Sequence, residues 1–485
     1  MIETIRLKQF KAFEDTGEIE IKPITIIAGP NSGGKSTLLQ SLLLLKQTLE
    51  TERNTLLNLD GRFLQFSGID EFTFNKPSPE ECEVAYEFKI NSYIPRDFVP
   101  QYFPDFKIPG AKRPEGFLFE SRVKLAFRQI QYKDDKKQVG PYYFSIRCFL
   151  DGTTGPELVI RFYSGRHRVY FRGRGSVEPK KKKDKESING VDFNNFLPFS
   201  FTISGNEKEM AGEHYSRSVQ VDPIFRVPLG YLREELESNL KYLGPLREEP
   251  RRAYLHSGSL FPEIGKKGEY AAQLLWLEKD KKVMYIAGPS HKKYQMNLMT
   301  AVSRAFHEMG VFQTIDVSQV QRIVYQVLFG LEGAGARKKV TIADVGFGMS
   351  QLLPIILIGL RSDEDSILVF EQPEIHLHPK LQASLGDFFI ILAQLGKRLI
   401  IETHSDHLIN RLRRRIVEDK SDKLKDSISI LFVHPPKGGE GATIQPLNIN
   451  RYGVIDNWPP DFLPEAADEA EIIFRKGLEK HQESK

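Results

Sequence analysis

The pattern that most constrains the fold of this chain lies between residues 24 and 45. A short apolar segment, Ile24–Ala28, leads into the sequence Gly-Pro-Asn-Ser-Gly-Gly-Lys-Ser-Thr at 29–37, and a leucine-rich segment follows. This order predicts a buried parallel strand, a glycine-rich loop and a helix. Chains with such a unit fold as α/β proteins that can hold phosphate groups at the helix N-terminus.

The loop itself fits G-x-x-x-x-G-K-[ST], the phosphate-binding P-loop. Glycines allow close approach of phosphates, and the backbone N–H groups form an anion cradle. Lys35 is predicted to place its charge on the β- and γ-phosphates of ATP, and Ser36 is predicted to bind Mg²⁺. The residues predicted to bind the nucleotide here are Gly29, Pro30, Asn31, Ser32, Gly33, Gly34, Lys35, Ser36 and Thr37.

Composition narrows the class of protein. The 485 residues predict two lobes or one large domain with insertions, and 40% hydrophobic with 27% charged residues is ordinary for a globular protein. A net charge of +4 does not by itself indicate nucleic-acid binding. Two distant cysteines exclude a disulfide scaffold and a cysteine-based zinc site. Without a signal peptide or a long apolar span, we expect a soluble, cytoplasmic protein that does not enter a membrane.

The final third of the sequence alternates helical and strand patterns, which predicts βαβ units and a doubly wound, mainly parallel sheet. The P-loop strand should join that sheet, with the middle of the chain inserted. We therefore predict an α/β P-loop fold in five segments. These are the N-terminal part of the nucleotide-binding unit (1–82), an antiparallel β insertion (83–190), a mixed, partly helical insertion (191–340), the C-terminal part of the unit (341–435) and a C-terminal cap (436–485). Within the second insertion, helices are predicted over 271–285 and 294–310.

Polar side chains follow two of the late strands. Glu371 ends the apolar run at 367–371, where the carboxyl edge of a parallel sheet lies beside the P-loop, so it is the predicted Mg²⁺ partner, directly or through water. His404 ends the next strand and is predicted to donate to a γ-phosphate. His376 and His378 could form a metal pair, but a helix cap or a subunit contact is the favoured interpretation of His378.

Taken in order, these motifs resemble ABC-type ATPases of the structural-maintenance (SMC) and overcoming-lysogenization-defect kind. The resemblance is carried by "LKQFKAF", "GPNSGGKST", "DVGFGMSQLLPI", "EQPEIHLHP" and "ETHSDHLI". Further segments, "YLGPLREEPRRAYLHSG", "KKGEYAAQLL" and "NINRYGVIDNWPPDFL", resemble a bacterial subfamily that includes ATPase subunits of the anti-phage systems Septu and PARIS.

The resemblance implies that two ATP-bound heads close face to face, at least as a dimer. Each signature helix would then approach the γ-phosphate held by the other copy. Gly346 and Gly348 lie in this signature, and Gly346 replaces its usual serine unless Ser350 substitutes for it. Gln65 is the candidate for the glutamine that contacts the metal. The implied catalytic residues are Lys35, Glu371, Gln372 and His404.

One position departs from the family pattern, because Gln372 stands where these ATPases carry a glutamate that polarises the attacking water. Glutamine can orient water but cannot accept its proton. The chain therefore hydrolyses ATP slowly, uses another carboxylate such as Glu374, or was altered to trap ATP.

Three functions remain open at this stage. The first is an ATPase that switches a separate effector, most often a nuclease, in anti-phage defence. The second is a RecF-like DNA-repair ATPase that clamps DNA, and the third is an assembly scaffold with negligible turnover. Direct contact with DNA or RNA is an open alternative, since arginine and aromatic residues mix at 161–175 and lysines follow.

Overall fold

The computed structural model describes residues 1–75, 82–104, 116–131, 137–163, 166–172, 187–206, 214–255, 263–287, 292–311, 314–321, 324–330 and 339–459. The strands are β1 (Ile2–Phe10), β2 (Phe13–Asp15), β3 (Ile19–Glu20), β4 (Ile24–Ala28), β5 (Glu83–Ile94), β6 (Phe117–Gln131), β7 (Lys137–Leu150), β8 (Thr153–Tyr163), β9 (Arg166–Arg172), β10 (Ser187–Asn194), β11 (Leu197–Asn206), β12 (His214–Gln220), β13 (Leu240–Leu243), β14 (Tyr254–Leu255), β15 (Lys282–Ala287), β16 (Lys292–Asn297), β17 (Thr314–Gln321), β18 (Val324–Gly330), β19 (Lys339–Thr341), β20 (Ile367–Glu371), β21 (Arg398–Glu402), β22 (Ile428–His434) and β23 (Thr443–Leu447). The helices are α1 (Lys35–Leu49), α2 (Val99–Tyr102), α3 (Pro223–Glu234), α4 (Ala271–Leu277), α5 (Leu298–Glu308), α6 (Phe347–Arg361), α7 (Pro379–Gln394) and α8 (Asp406–Glu418).

A six-stranded sheet in the order β13-β20-β21-β4-β22-β23 holds the P-loop strand in its interior. The first five strands run parallel, and β23 is antiparallel to β22. All five residues of β4 are buried, as expected for a parallel strand covered on both faces. The predicted α/β class is therefore confirmed, and so is the joining of the early strand with the last third of the chain.

A second, antiparallel sheet has the order β2-β1-β5-β6-β7-β8-β9, with β3 paired to β1. The strands predicted between 83 and 172 are present in it. It also recruits residues 2–20, which precede the P-loop strand, so the N-terminal segment of the chain contributes to both sheets. Smaller sheets are formed by β10 to β12, by β14 with β17 to β19, and by β15 with β16.

Alternate residues of the parallel strands point into two different cores. Ile27, Val369 and Ile400 lie in the core that contains the α1 leucines and the antiparallel sheet. Ile26, Phe370 and Ile401 lie in the core that contains helices α4 to α8. This period of two places the parallel sheet between two apolar layers, and its carboxyl edge becomes a fixed platform for polar side chains.

Two helix predictions in the middle of the chain were partly wrong. Helix α4 ends at Leu277, α5 begins at Leu298, and β15 and β16 form a hairpin between them. Val283 and Tyr285 are buried while Met284 between them is exposed, which is the alternation of a strand rather than the period of a helix. In the described part of the chain, no helix is both long and apolar enough to cross a bilayer.

Candidate nucleotide site

The P-loop backbone requires its glycines. Gly29 and Gly34 have φ angles of 141° and 101°, in the region that favours glycine. A Cβ atom at Gly29 would lie 2.5 Å from the carbonyl oxygen of Val433, and one at Gly34 would lie 2.8 Å from Ala12 Cβ. Helix α1 begins immediately afterwards, and within the described chain no side chain caps its N-terminus. Its first N–H groups are therefore available to an anion.

Lys35 is held over this loop. Its Nζ atom donates to the carbonyl oxygen of Pro30 at 2.6 Å, and the residue is only 4% exposed. Burial lowers the pKa of Lys35, and the carboxylates of Glu402 and Glu374 oppose that shift. The ammonium group thus lies between the loop and a cluster of acids, and its predicted contact with the phosphates stays a prediction.

The acid nearest to the P-loop hydroxyl is Glu402, which the sequence reasoning did not select. Ser36 Oγ donates to Glu402 Oε1 at 3.0 Å. Glu402 ends β21, directly opposite Glu371 on β20 in the strand register. The signal was present in the sequence, because "LIIE" at 399–402 ends an apolar strand in a carboxylate, just as the run before Glu371 does.

Three carboxylates, from Glu371, Glu374 and Glu402, gather at this edge of the sheet. Burial, and then the charge of Glu402, raises the pKa of Glu371 to about 7. Burial likewise raises the pKa values of Glu374 and Glu402. The Oε2 atoms of Glu374 and Glu402 are buried with no hydrogen-bond partner among the described residues.

This donor set fits a magnesium ion. Mg²⁺ prefers hard oxygen ligands and is commonly held by one or two carboxylates together with substrate phosphates. Two buried carboxylate oxygens without partners and the Ser36 hydroxyl meet that description. Among the described residues, no group of three or more His, Cys, Asp or Glu side chains could hold a metal ion.

Arg247 is a second residue that the sequence reasoning missed. It follows β13 and donates from its guanidinium to the carbonyl oxygens of Glu371 at 3.0 Å and Gln372 at 3.2 Å. The residue is 6% exposed, and burial lowers its pKa to about 10. Arg247 therefore fixes the turn that follows β20 and adds positive charge beside the carboxylates.

Gln372 and His404 lie at the same edge. Gln372 has a φ angle of 43°, and its N–H donates to the Glu402 carbonyl oxygen at 2.7 Å. The His404 N–H donates to Glu374 Oε1, also at 2.7 Å. Burial, and then the charge of Lys35, lowers the pKa of His404, which favours the neutral imidazole, and a neutral imidazole can donate one hydrogen bond.

The predicted signature segment forms the start of α6. Gly346 precedes the helix with a φ angle of 90°, and Phe347, the first helical residue, is 51% exposed. A Cβ at Gly348 would lie 3.2 Å from the His376 carbonyl oxygen. Ser350 is buried and donates to the Phe347 carbonyl oxygen at 2.7 Å, so its hydroxyl is engaged inside the helix.

The remaining metal candidates are placed as follows. Gln65 is exposed and forms a β-bridge with Asp60, and no described contact joins it to Ser36 or to the carboxylates. Its role as a metal ligand stays a prediction. His378 accepts a hydrogen bond from the Lys380 N–H at 3.3 Å and caps α7, which confirms the cap interpretation of this residue.

The arginine-rich segment at 161–175 is only partly described. The Arg161 guanidinium lies 5.5 Å from the centre of the Tyr143 ring, and Arg172 lies 3.6 Å from Glu157. Residues 173–186, which include the lysine run, lie outside the described residues. Nucleic-acid contact at this segment therefore stays a prediction.

Comparison with solved structures gives matches to SMC head domains at low identity. The SMC head domain from Thermotoga maritima is 11% identical, with a TM-score of 0.35 over 92% of this chain and 98% of that one. An Smc head domain with an extended coiled coil, bound to the C-terminal domain of ScpA derived from Pyrococcus furiosus, is 11% identical, with a TM-score of 0.39 over 97% and 99%. A SmcHead bound to the C-winged helix domain of ScpA is 10% identical, with a TM-score of 0.41 over 93% and 98%. At these values the likeness adds nothing to the description of the fold.

No curated protein matches this chain. A family model does match, over residues 24–410, a range that includes the P-loop, the three carboxylates, Gln372 and His404. The family is described as "AAA domain, putative AbiEii toxin, Type IV TA system". The chain belongs to this family, and it is an AAA-type P-loop ATPase.

Proposed function

We propose that this protein binds ATP between two copies of the chain and hydrolyses it slowly, and that this cycle switches a separate effector, such as a nuclease, in anti-phage defence. The observation that carries the ATPase part is the meeting of Lys35 and Ser36 with the carboxylates at the end of β20 and β21. The family description, with its reference to a toxin, supports control of a harmful activity. The resemblance to subunits of Septu and PARIS supports the defence role.

The residues of this chain would act as follows. The P-loop N–H groups and Lys35 bind the phosphates, and Ser36 with Glu371 would hold Mg²⁺, directly or through water. The bound ion supplies positive charge that offsets the phosphates and the buried acids. Neutral His404 can donate to the γ-phosphate, and Gln372 can orient a water but cannot take its proton. Hydrolysis is therefore slow relative to an enzyme with glutamate at this position.

The start of α6 supports the pairing of two copies. Its N-terminus carries the positive end of the helix dipole, and Phe347 projects there with half of its surface exposed. A partner's γ-phosphate would be stabilised at this position. ATP would then join the two copies, and its hydrolysis would release them.

Pairing is tested by light scattering of the full chain with ATP and Mg²⁺. We expect wild type to shift from one copy to at least two, and Phe347→Glu to prevent that shift while it still binds ATP. Phe347 is preferable to Gly348 for this test, because a side chain at Gly348 would crowd the His376 carbonyl. The control Tyr93→Glu changes an equally exposed aromatic residue on the antiparallel sheet and should pair normally. Normal pairing of Phe347→Glu would contradict the proposal.

Turnover is tested by single-turnover hydrolysis of ATP. A general base contributes about 10²- to 10⁴-fold to a rate, so we expect Gln372→Glu to be at least about 10²-fold faster than wild type. The matched control Gln295→Glu, on the exposed strand β16, should not change the rate. Wild type as fast as Gln372→Glu would show that slow hydrolysis is wrong. Pairing with no turnover in either protein would favour the scaffold function instead.

A further inference from the structure

We infer that Glu402 is a direct ligand of the magnesium ion, paired with Ser36, and that Glu371 acts on the ion from farther away. The inference rests on the proposed binding of ATP with Mg²⁺. The sequence motif alone assigns the metal carboxylate to Glu371, at the end of β20. The contacts of the two side chains distinguish these assignments.

The first argument is the distance between Ser36 and Glu402. Two ligands at right angles on an octahedral Mg²⁺, with bonds of about 2.1 Å, lie about 3.0 Å apart. Ser36 Oγ and Glu402 Oε1 are separated by 3.0 Å. Since Ser36 is the P-loop hydroxyl that binds the metal, Glu402 can bind the same ion with little movement of either side chain.

The second argument is the unmet bonding capacity of Glu402. The residue is 4% exposed, and its Oε2 atom is buried without a hydrogen-bond partner in the described chain. A buried carboxylate oxygen without a partner destabilises the folded protein. Lys35, whose charge acts on Glu402, donates its short hydrogen bond to the Pro30 carbonyl oxygen instead. A divalent ion at Glu402 would satisfy this oxygen and offset the charge.

The third argument is the order of the strands. β21 lies between β20 and β4, so Glu402 is aligned with Ile27 of the P-loop strand on one side and with Glu371 on the other. Glu371 is therefore one strand farther from the P-loop, a separation of about 4.8 Å. The Tyr242 hydroxyl on β13, at the opposite side from β21, stabilises the charged form of the Glu371 side chain. A water-mediated contact suits Glu371, and direct contact suits Glu402.

The test measures binding of Mn²⁺, as a paramagnetic substitute for Mg²⁺, to the full chain saturated with a non-hydrolysable ATP analogue. Electron paramagnetic resonance gives the Mn²⁺ affinity directly, without any need for activity. We expect Glu402→Gln to weaken Mn²⁺ binding at least tenfold, and the matched Glu371→Gln to weaken it threefold or less. Nucleotide affinity in EDTA should be kept by both variants, since the P-loop contacts remain.

The outcomes are distinct. If Glu402→Gln keeps Mn²⁺ affinity within twofold of wild type, or if Glu371→Gln has the larger effect, the inference is overturned. If Glu402→Gln does not fold, Glu402→Asp replaces it, and the shorter side chain should still weaken Mn²⁺ at least threefold. Wild type that binds no nucleotide would overturn the proposed function and the inference together. Wild type that binds nucleotide and Mn²⁺ but neither pairs nor hydrolyses would overturn the proposed function alone.

Discussion

Charged side chains are arranged in opposite ways on the two large sheets of this molecule. On the antiparallel sheet, acids and bases pair across neighbouring strands on a solvated face. Glu87 lies 3.1 Å from Lys8 and 3.2 Å from Lys124, and Arg147 lies 2.7 Å from Glu157. At the carboxyl edge of the parallel sheet, three acids are gathered in a buried place, and oxygens of two of them lack partners in the described residues.

We infer that the charged side chains of the antiparallel sheet stabilise a surface, whereas the acids at the edge of the parallel sheet serve to bind a ligand. Opposite charges that face each other across strands contribute modestly to stability and keep the face soluble. Burial, and then the like charge of Glu402, raises the pKa of Glu371, and both disfavour the charged form in the folded protein. Under the proposed function such a cluster is explained by what it binds, and the adjoining P-loop supports a phosphate with its cation as the ligand.

The variant with the largest expected effect tests which property makes a charged side chain costly to the fold. The property is either its burial or its lack of a partner. At the amino end of β21, the Arg398 guanidinium pairs with Glu235 and donates to the Ile2 carbonyl oxygen at 2.9 Å, with both charged side chains nearly inaccessible. This pair joins the parallel sheet to β1 of the antiparallel sheet. Arg398→Ala removes the counter-charge of the buried Glu235, so we expect a loss of about 3–5 kcal/mol in unfolding free energy.

Urea unfolding followed by circular dichroism measures this loss. The double variant Arg398→Met with Glu235→Leu removes both charges and should recover most of the stability. A loss below about 1 kcal/mol in Arg398→Ala would show that burial alone does not make a charge costly here. The clustering of the three acids, and not their burial, would then be what distinguishes the parallel sheet from the antiparallel sheet.

The sequence predicted the parts of the site that follow one another along the chain. The P-loop, Glu371, Gln372 and His404 each belong to a local motif whose strand and loop can be recognised without tertiary structure. Arg247 could not be found in this way, because it reaches Gln372 across 125 positions of the sequence. Glu402 could have been found, since the reasoning that selected Glu371 applies equally to the end of β21.

The fold was predictable to a similar degree. Alternation of apolar strands and helices identified the parallel sheet, whose residues are buried on both faces. Residues 282–285 and 294–297 of the β15–β16 hairpin fit the predicted helices because lysine and methionine, which favour helices, occur in both strands. Pairing of Val283 with Met296 across the hairpin decides the conformation there, and local propensity does not report such a contact.

The next effect uses pH to sharpen the comparison. The folded-state pKa of Glu371, about 7, lies above the ordinary value of 4.5. Its contribution to stability is therefore full below pH 4.5 and is lost as pH rises through about 7. Burial also raises the pKa of Glu87, but hydrogen bonds from Lys8 and Lys124 outweigh it, and the net pKa is lowered. Its contribution is present above pH 4.5 and is lost as pH falls through its folded-state pKa.

Urea unfolding without nucleotide or divalent ion, at pH 5.5, 7 and 8.5, measures how the free energy of unfolding changes with pH because of Glu371. The pH dependence of stability between pH 5.5 and 8.5 that is due to Glu371 amounts to at most about 2 kcal/mol, and less because the side chain is partly exposed. We expect Glu371→Gln to remove this pH-dependent loss. The other groups that act on the Glu371 carboxyl, which are Glu402, Tyr242 and Arg247, are unchanged in the Glu371→Gln variant. Glu87→Gln should not reduce the pH dependence of the unfolding free energy between pH 5.5 and 8.5. An equal effect of the two variants would contradict the assignment of this pH dependence to Glu371.

The smallest effect concerns a single pair on the antiparallel sheet. Arg147 and Glu157 are directly opposite in the register of β7 and β8, and the arginine side chain is 43% exposed. Solvent and salt screen such a pair, so a double-mutant cycle with Arg147→Ala and Glu157→Ala should give a coupling of about 0.5 kcal/mol, and less in high salt. A coupling above about 1.5 kcal/mol that resists salt would mean that this face is not an ordinary solvated surface. The description of the antiparallel sheet as a solvated face of weak ion pairs would then be wrong, because a strong, salt-resistant pair requires exclusion of water.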